Sequence, residues 1–266
     1  MKAKTFWVWV VAALLLPVGA RGFEQMASGG KSCTDCHKLS PDEAQKILGK
    51  LVDRVLAVNP SRIPGVWAVD VEKRKKKVPV YLDYSKRFLF TGDVIELETM
   101  TSLTRERYID LNRVDASAIP LDDAVVLGDP EAPVRIVVFD DPECPFCKKL
   151  HPEMKKVVEQ RPDVAFFIKM LPLKIHPTAR KKAQAIICAK SVKLLEDSLA
   201  GKPIPDPTCE TDQIEKNEAL AKELGVRSTP TLIFPDGRVV PGYKPADKIL
   251  AYLEKGRDTG KGAKKP

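Results

Sequence analysis

Six cysteines carry most of the reactive chemistry in this chain. Their spacing sorts them into two tight pairs and one wide one: Cys33/Cys36, Cys144/Cys147 and Cys188/Cys209. Cys144-Pro145-Phe146-Cys147 follows the short apolar run Val134 to Phe139 and opens a helix-patterned segment. Unpaired backbone N–H groups and the positive dipole end at a helix N-terminus favour a thiolate over a thiol. A cysteine with the ordinary pKa of about 8.5 is only a few per cent ionised at neutral pH, whereas one held below about 6 is mostly nucleophilic thiolate. Pro145 suits the first helical position, because it has no N–H to leave unpaired and its φ is already helical. Cys144 is therefore expected to be the exposed nucleophile, and Cys147, one turn inward, the resolving thiol. A static disulfide is the plain alternative, and a metal site needs more ligands than this pair offers. A strand before and a helix after favour redox chemistry.

Cys33-Thr34-Asp35-Cys36-His37 points elsewhere. It matches the attachment signature of c-type haem, in which both cysteines form thioethers to the vinyl groups and His37 ligates the iron. Residues 21–39 are polar and cannot enclose a haem by themselves, and distal ligands are scarce, Met26 and Met100 among them. A local disulfide or an accessory dithiol would use the same residues without a cofactor.

The cysteines need an oxidising or redox-controlled compartment, and the first twenty residues supply an address. Lys2 and Lys4 precede an apolar stretch from Phe6 to Leu16, and Val18-Gly19-Ala20 offers small residues for cleavage after Ala20. That stretch is too short to span a bilayer of roughly 30 Å. A cleaved signal peptide of bacterial type is expected, and with it a periplasmic protein in which disulfides persist. The chain has 266 residues, a formal charge of +8 and 44% hydrophobic residues, which excludes a disordered chain, a polytopic membrane protein and a small disulfide knot. The densest basic run, Lys73-Arg74-Lys75-Lys76-Lys77, lies between two strand-like segments and reads as a solvated turn, so no nucleic-acid partner is expected.

The elements that must position the cysteines fall into two units. Ser40, Pro41 and Glu43 form a capping box, and Ala44, Ile47, Leu48, Leu51, Val52, Val55 and Leu56 recur at helical spacing, predicting one helix that ends before Asn59-Pro60. Strands are expected over 66–71, 78–84, 87–90 and 94–97, making a small α+β unit over 40–103. Residues 104–127 read as a charged linker with a helix over 104–114, bounded by the stiff stretch Gly128 to Pro133. From 128 to 255 the order is β-α-β, helical insertion, β-β-α, and the basic tail 256–266 is expected to fray.

Here a resemblance becomes specific. A β-CxxC-α-β core followed by Thr229-Pro230 and a hairpin resembles the thioredoxin fold, in which that proline is cis and faces the sulfurs. The stretches Val138 to Cys144, Lys149-Leu150-His151-Pro152-Glu153-Met154, Thr229 to Phe234 and Asp236 to Tyr243 resemble the periplasmic protein-disulfide isomerases of the DsbC/DsbG type. The resemblance implies an α+β, cystatin-like N-terminal dimerisation domain linked to an α/β thioredoxin-fold domain with a helical insertion. It also implies a structural disulfide between Cys188 and Cys209, and substrate binding at Thr229 and Pro230. There are departures. Pro145-Phe146 stands where those isomerases often carry Gly-Tyr. Val138 occupies the place where thioredoxins keep a buried acid, so proton transfer must come from elsewhere. His151, one turn beyond Cys147, could either act on the thiols or simply pack within the helix.

The sequence thus predicts an enzyme, a protein disulfide isomerase or reductase of exported proteins. Catalysis is assigned to Cys144 and Cys147, and the thiol chemistry requires no cofactor. Unfolded or misoxidised exported proteins and a membrane thiol reductase are its expected partners, and a homodimer its expected state. The alternatives are a dithiol oxidase, a haem-bearing redox partner protein using Cys33, Cys36 and His37, and a chaperone-like binding dimer.

Overall fold

The structure, a computed structural model, describes residues 37–260, with side chains described to residue 256. The predicted export segment and the cysteines Cys33 and Cys36 lie outside the described residues. No helix among the described residues is long and apolar enough to cross a membrane.

The first helix, α1 (Pro41–Leu48), begins as its sequence dictates: the Ser40 side chain accepts the Glu43 N–H at 3.1 Å, and Pro41 fills the first position. It is shorter than the apolar spacing predicts. Gly49, at φ 50°, ends it, a single 3-10 turn follows, and residues 54–60 form a strand. Val55 fits the helical stripe, but it is also β-branched and suits a pleated surface. Pairing with a neighbouring strand wins over local spacing.

That strand, β1 (Arg54–Pro60), pairs antiparallel with β2 (Val66–Lys73), which pairs with β3 (Lys76–Asp83) and then β4 (Leu89–Phe90) in the order β1-β2-β3-β4. The basic run from Lys73 to Lys77 turns between β2 and β3, with Arg74 and Lys75 in the left-handed region. Ala44, Leu48, Val52, Trp67, Val69, Val71, Val80 and Leu82 form the core between α1 and the sheet. A short ribbon, β5 (Ile95–Glu96) with β6 (Thr101–Ser102), leads into α2 (Leu103–Leu111).

The segment expected to be a linker is docked rather than free. The Ser102 side chain caps α2 by accepting the Arg105 N–H, Tyr81 Oη lies 3.0 Å from Thr104 Oγ1, and Arg107 Nε donates to Asp70 at 3.0 Å. Asp70 is only 1% exposed, so Arg107 and the Asn59 amide (2.9 Å) are what make its burial tolerable.

The second unit is built on a five-stranded sheet. It contains a strand absent from the sequence reading, β7 (Val125–Leu127), followed by β8 (Val134–Asp140), α3 (Pro145–Gln160) and β9 (Val164–Met170). Next come α4 (Ala179–Ala189), α5 (Val192–Leu199), α6 (Gln213–Glu223), β10 (Thr231–Ile233), β11 (Val239–Pro241) and α7 (Ala246–Gly260). The sheet order is β11-β10-β8-β9-β7, with β8 and β9 parallel and the other pairs antiparallel. Because β7 belongs to this sheet, residues 125–127 are part of the second unit, ahead of the boundary expected at 128. Three residues carry too little periodicity to declare a strand.

Every residue of β9 is buried, and β8 is buried from Ile136 to Asp140, as expected of strands covered on both faces. Ile136, Val138, Leu150, Met154, Phe166, Ile168, Met170 and Phe234 fill one side of the sheet together with both active-pair cysteines. The helical insertion breaks at Lys190, which takes a left-handed conformation between α4 and α5.

Candidate functional site

Cys144 sits at the N-cap of α3, with extended backbone, and its carbonyl accepts the first helical bond from the Lys148 N–H at 3.0 Å. Pro145 follows at the first helical position. The loop before it is fixed by Asp141, which is fully buried. Its carboxylate accepts the N–H groups of Glu143 (2.8 Å) and Leu173 (2.7 Å) and lies 2.8 Å from His176 Nδ1. Glu143 is partly buried, which opposes its ionisation, but its bonds to Lys182 (2.6 Å) and Thr178 hold its carboxyl below the usual range. Each charge beside Cys144 thus has a dedicated partner.

The two thiols are opposed in character. The Cys144 pKa is lowered to about 6, chiefly by a hydrogen bond from the Cys147 thiol; burial opposes this, and the Cys147 and Phe146 N–H groups at the helix start reinforce it. Cys147 moves the other way: burial pushes its thiol well up, and the bond to Cys144 and the nearby Asp140 carboxylate add to the shift. One cysteine is held ready to ionise and the other is kept protonated. Both are free thiols in this structure.

One expectation needs correction. Cys144 is not the exposed partner of the pair; it is only 4% exposed, and Cys147 is fully buried. The Cys144 thiol donates to the Thr229 carbonyl at 3.4 Å, so the loop before β10 covers it. The exposed residue of the motif is Phe146 (55%), with Lys149 Nζ placed 5.6 Å from its ring centroid. Local sequence could not show this cover, because it comes from a segment 85 residues away.

Thr229-Pro230 is a cis peptide. Thr229 is buried, and its side chain is among the groups that lower the Cys144 pKa. Cys188 and Cys209 are joined in a disulfide that ties the end of α4 to the loop before α6.

The sequence reading missed Asp140 as a member of the site. It closes β8, is fully buried, and its Oδ2 lies 3.0 Å from Nε2 of His151, itself 4% exposed. The signal was present: an acid at the end of an apolar run from a strand covered on both faces must be buried and must find a partner.

His37, the one described residue of the CxxCH motif, stacks on Tyr84 with ring centroids 4.9 Å apart, and Tyr84 in turn meets Trp67. That places it against the first sheet, far in sequence from the cysteine pair on α3. Among the described residues no group of three or more His, Cys, Asp or Glu could hold a metal ion.

The sequence model of the family described as Thioredoxin-like domain matches residues 122–257. A probable thiol:disulfide interchange protein DsbC of Bordetella avium is 33% identical over 175 residues, 65% of this chain and 61% of that protein. The thiol:disulfide interchange protein DsbC of Escherichia coli K12 is 33% identical over 132 residues, 49% of this chain and 55% of its own length. The chain therefore spans about three-fifths or less of the length of these relatives. A crystal structure of a disulfide interchange protein from Neisseria gonorrhoeae aligns over 52% of this chain and 98% of its own, with 30% identity and a TM-score of 0.45. With a strand-CxxC-helix site on its central sheet and a family match over half its length, the chain belongs to the thioredoxin-like domain family.

Proposed function

We propose that this chain is a thiol:disulfide interchange enzyme that reduces or isomerises wrong disulfides in exported proteins. The observation that carries the reading is the opposed pair at the start of α3, where Cys144 is poised to ionise and Cys147 is held protonated behind it. The Cys144 thiolate attacks a substrate disulfide, forming a mixed disulfide and releasing one substrate thiolate. A substrate thiol then displaces Cys144, which completes an isomerisation. Alternatively Cys147 displaces the second substrate sulfur, which leaves the substrate reduced and the pair oxidised. A membrane thiol reductase would return the oxidised pair to the dithiol.

The substrate segment would lie along Thr229 and Pro230, whose backbone already meets Cys144. Phe146 and Ile175, exposed by 55% and 76%, would give it an apolar rim; Ile175 sits in the loop that Asp141 ties to the site. The first unit supplies what an isolated thioredoxin domain lacks. Its β1 is a sheet edge, able to pair with a copy of itself across a two-fold axis. An open apolar cavity of about 520 Å³, lined by Leu51, Val71, Val78, Val80, Leu89 and Tyr108 among others, adds binding surface. A homodimer in the periplasm, reached through the signal peptide, is the state in which the two units would act. The Cys188–Cys209 disulfide would be structural.

The test is capture. Cys147→Ser should accumulate mixed disulfides with scrambled substrate proteins, and Cys144→Ser should abolish both capture and refolding activity. Preferential alkylation of Cys147 over Cys144 at mildly acidic pH would reverse the assigned roles.

A further inference from the structure

Five consecutive cations, Lys73-Arg74-Lys75-Lys76-Lys77, form the tip of the β2–β3 hairpin, and the thiol chemistry makes no use of them. All five are exposed. Elsewhere in the same unit Arg54, Arg62, Lys86, Arg105 and Arg107 each meet a carboxylate. Among the described residues no carboxylate pairs with any of the five tip cations. The acids beside the tip are already engaged: Glu72 bonds Arg54 at 2.8 Å, and the Asp53 carboxylate accepts the Arg74 N–H at 2.6 Å. Five like charges in succession repel one another, and nothing within this unit offsets them.

The backbone of the tip also runs against these residue types. Lys73 pairs with Lys76, so the loop is two residues long, and Arg74 (φ 51°) and Lys75 (φ 62°) both lie in the left-handed region. Asn-Gly fills such a turn best, because a Cβ with a long side chain is strained there. A basic pair at this turn works against the fold, which points to a use for the charge outside it.

We propose that the β2–β3 tip is a docking point for an anionic lipid surface. The side chains are long, exposed and held by no partner, so each can settle separately on a mobile headgroup. A cation near such a surface adds a small, roughly additive attraction that fades within a Debye length. A specific acidic protein would be met by cations fixed in an ordered network, and these are not fixed. A nucleic-acid strand asks for rings that stack on its bases, and residues 72–78 contain none. Leu51, exposed by 56%, lies two residues before Asp53, which is bonded to the tip, and adds an apolar side chain on that side. Docking does not depend on the thiol-interchange reading. Taken with it, docking would concentrate the enzyme along the membrane from which exported chains emerge.

The test is cosedimentation of the full chain with phosphatidylcholine vesicles, with and without phosphatidylglycerol, at low and high salt. The chain should bind only the anionic vesicles and should leave them at high salt. Arg74→Asn with Lys75→Gly removes two cations and installs residues that the turn prefers. Binding should weaken about 25-fold, at about fivefold per cation, while the melting temperature holds or rises. Lys222→Gln with Lys248→Gln removes the same charge from exposed positions of the second unit and should weaken binding less than about threefold. A full chain that fails to bind anionic vesicles at low salt overturns the proposal. Equal binding to neutral vesicles does so too, because it would mean apolar insertion. Equal weakening by the two double variants would mean net charge alone and would also end it. A chain that ignores vesicles but is retained on polyglutamate through the tip would give the surface to an acidic protein instead. If Arg74→Asn with Lys75→Gly does not fold, Lys75→Gln with Lys76→Gln decides by the same comparison.

Discussion

Cys144 and Cys147 are chemically the same side chain, and only position separates them. Cys144 occupies the N-cap, where two helix N–H groups and the Cys147 thiol converge on its sulfur. Cys147 lies one turn inward against the core and a carboxylate. The Cys144 pKa is lowered to about 6, so the thiolate dominates above about pH 6 and is lost as the pH falls through that value. Alkylation of Cys144 should therefore rise through a midpoint near pH 6 and level off above it. Removing the largest contribution with Cys147→Ala should move that midpoint upward, toward the ordinary thiol range. A midpoint that stays in place would mean that the helix N–H groups alone set the thiolate. The same depression favours the reduced over the oxidised pair, because the thiolate exists only in the dithiol state.

At the scale of elements, long-range ties hold what local sequence only suggests. Closing the 21-residue separation between Cys188 and Cys209 should restrict the unfolded chain by about 3 kcal/mol on the loop-entropy account. Replacing both by Ser is expected to lower the melting temperature by several degrees while leaving Cys144 alkylation unchanged; no change in melting temperature would mean that the insertion is held by packing alone. The elements most readable in the sequence were those with strong endings or uniform burial: the capping box at Ser40, the buried run of β8, the helix opened by Pro145, and the hairpin of β10 and β11. Two failed for identifiable reasons. Val55 satisfies helical and strand patterns alike, and only pairing with β2 decides between them. The short β7 is defined by its neighbour β9 and not by its own residues. The site followed the same rule. Both cysteines and Thr229-Pro230 announced themselves by motif, whereas the cover over Cys144 and the contact of Asp140 with His151 arise where separate elements meet.

Across the whole molecule, the two units are stitched through α2 and the segment after it. Ile109 of α2 joins the core of the second unit, while Thr104 and Arg107 on the same helix hold the first sheet. Val114 donates its N–H to the Gly237 carbonyl at 2.9 Å, and Gly237, at φ 84°, comes so close to the Val114 carbonyl that a Cβ there would lie 2.0 Å from its oxygen. This seam bears on how the dimer proposal is tested, because a truncation that removes it would damage the catalytic unit for reasons unrelated to assembly. Deleting residues 21–100 removes the first sheet but keeps Ile109 and Val114. That variant is expected to be monomeric and to keep the Cys144 alkylation rate of the full chain, since every partner of the cysteine pair lies beyond residue 139. It should lose the refolding of scrambled substrates, because a client that is not held is released after one attack and cannot be rearranged repeatedly. The full chain should sediment as a dimer at micromolar concentration. A full-length monomer with undiminished refolding activity would show that one thioredoxin unit suffices, and the first sheet would then need a role other than pairing.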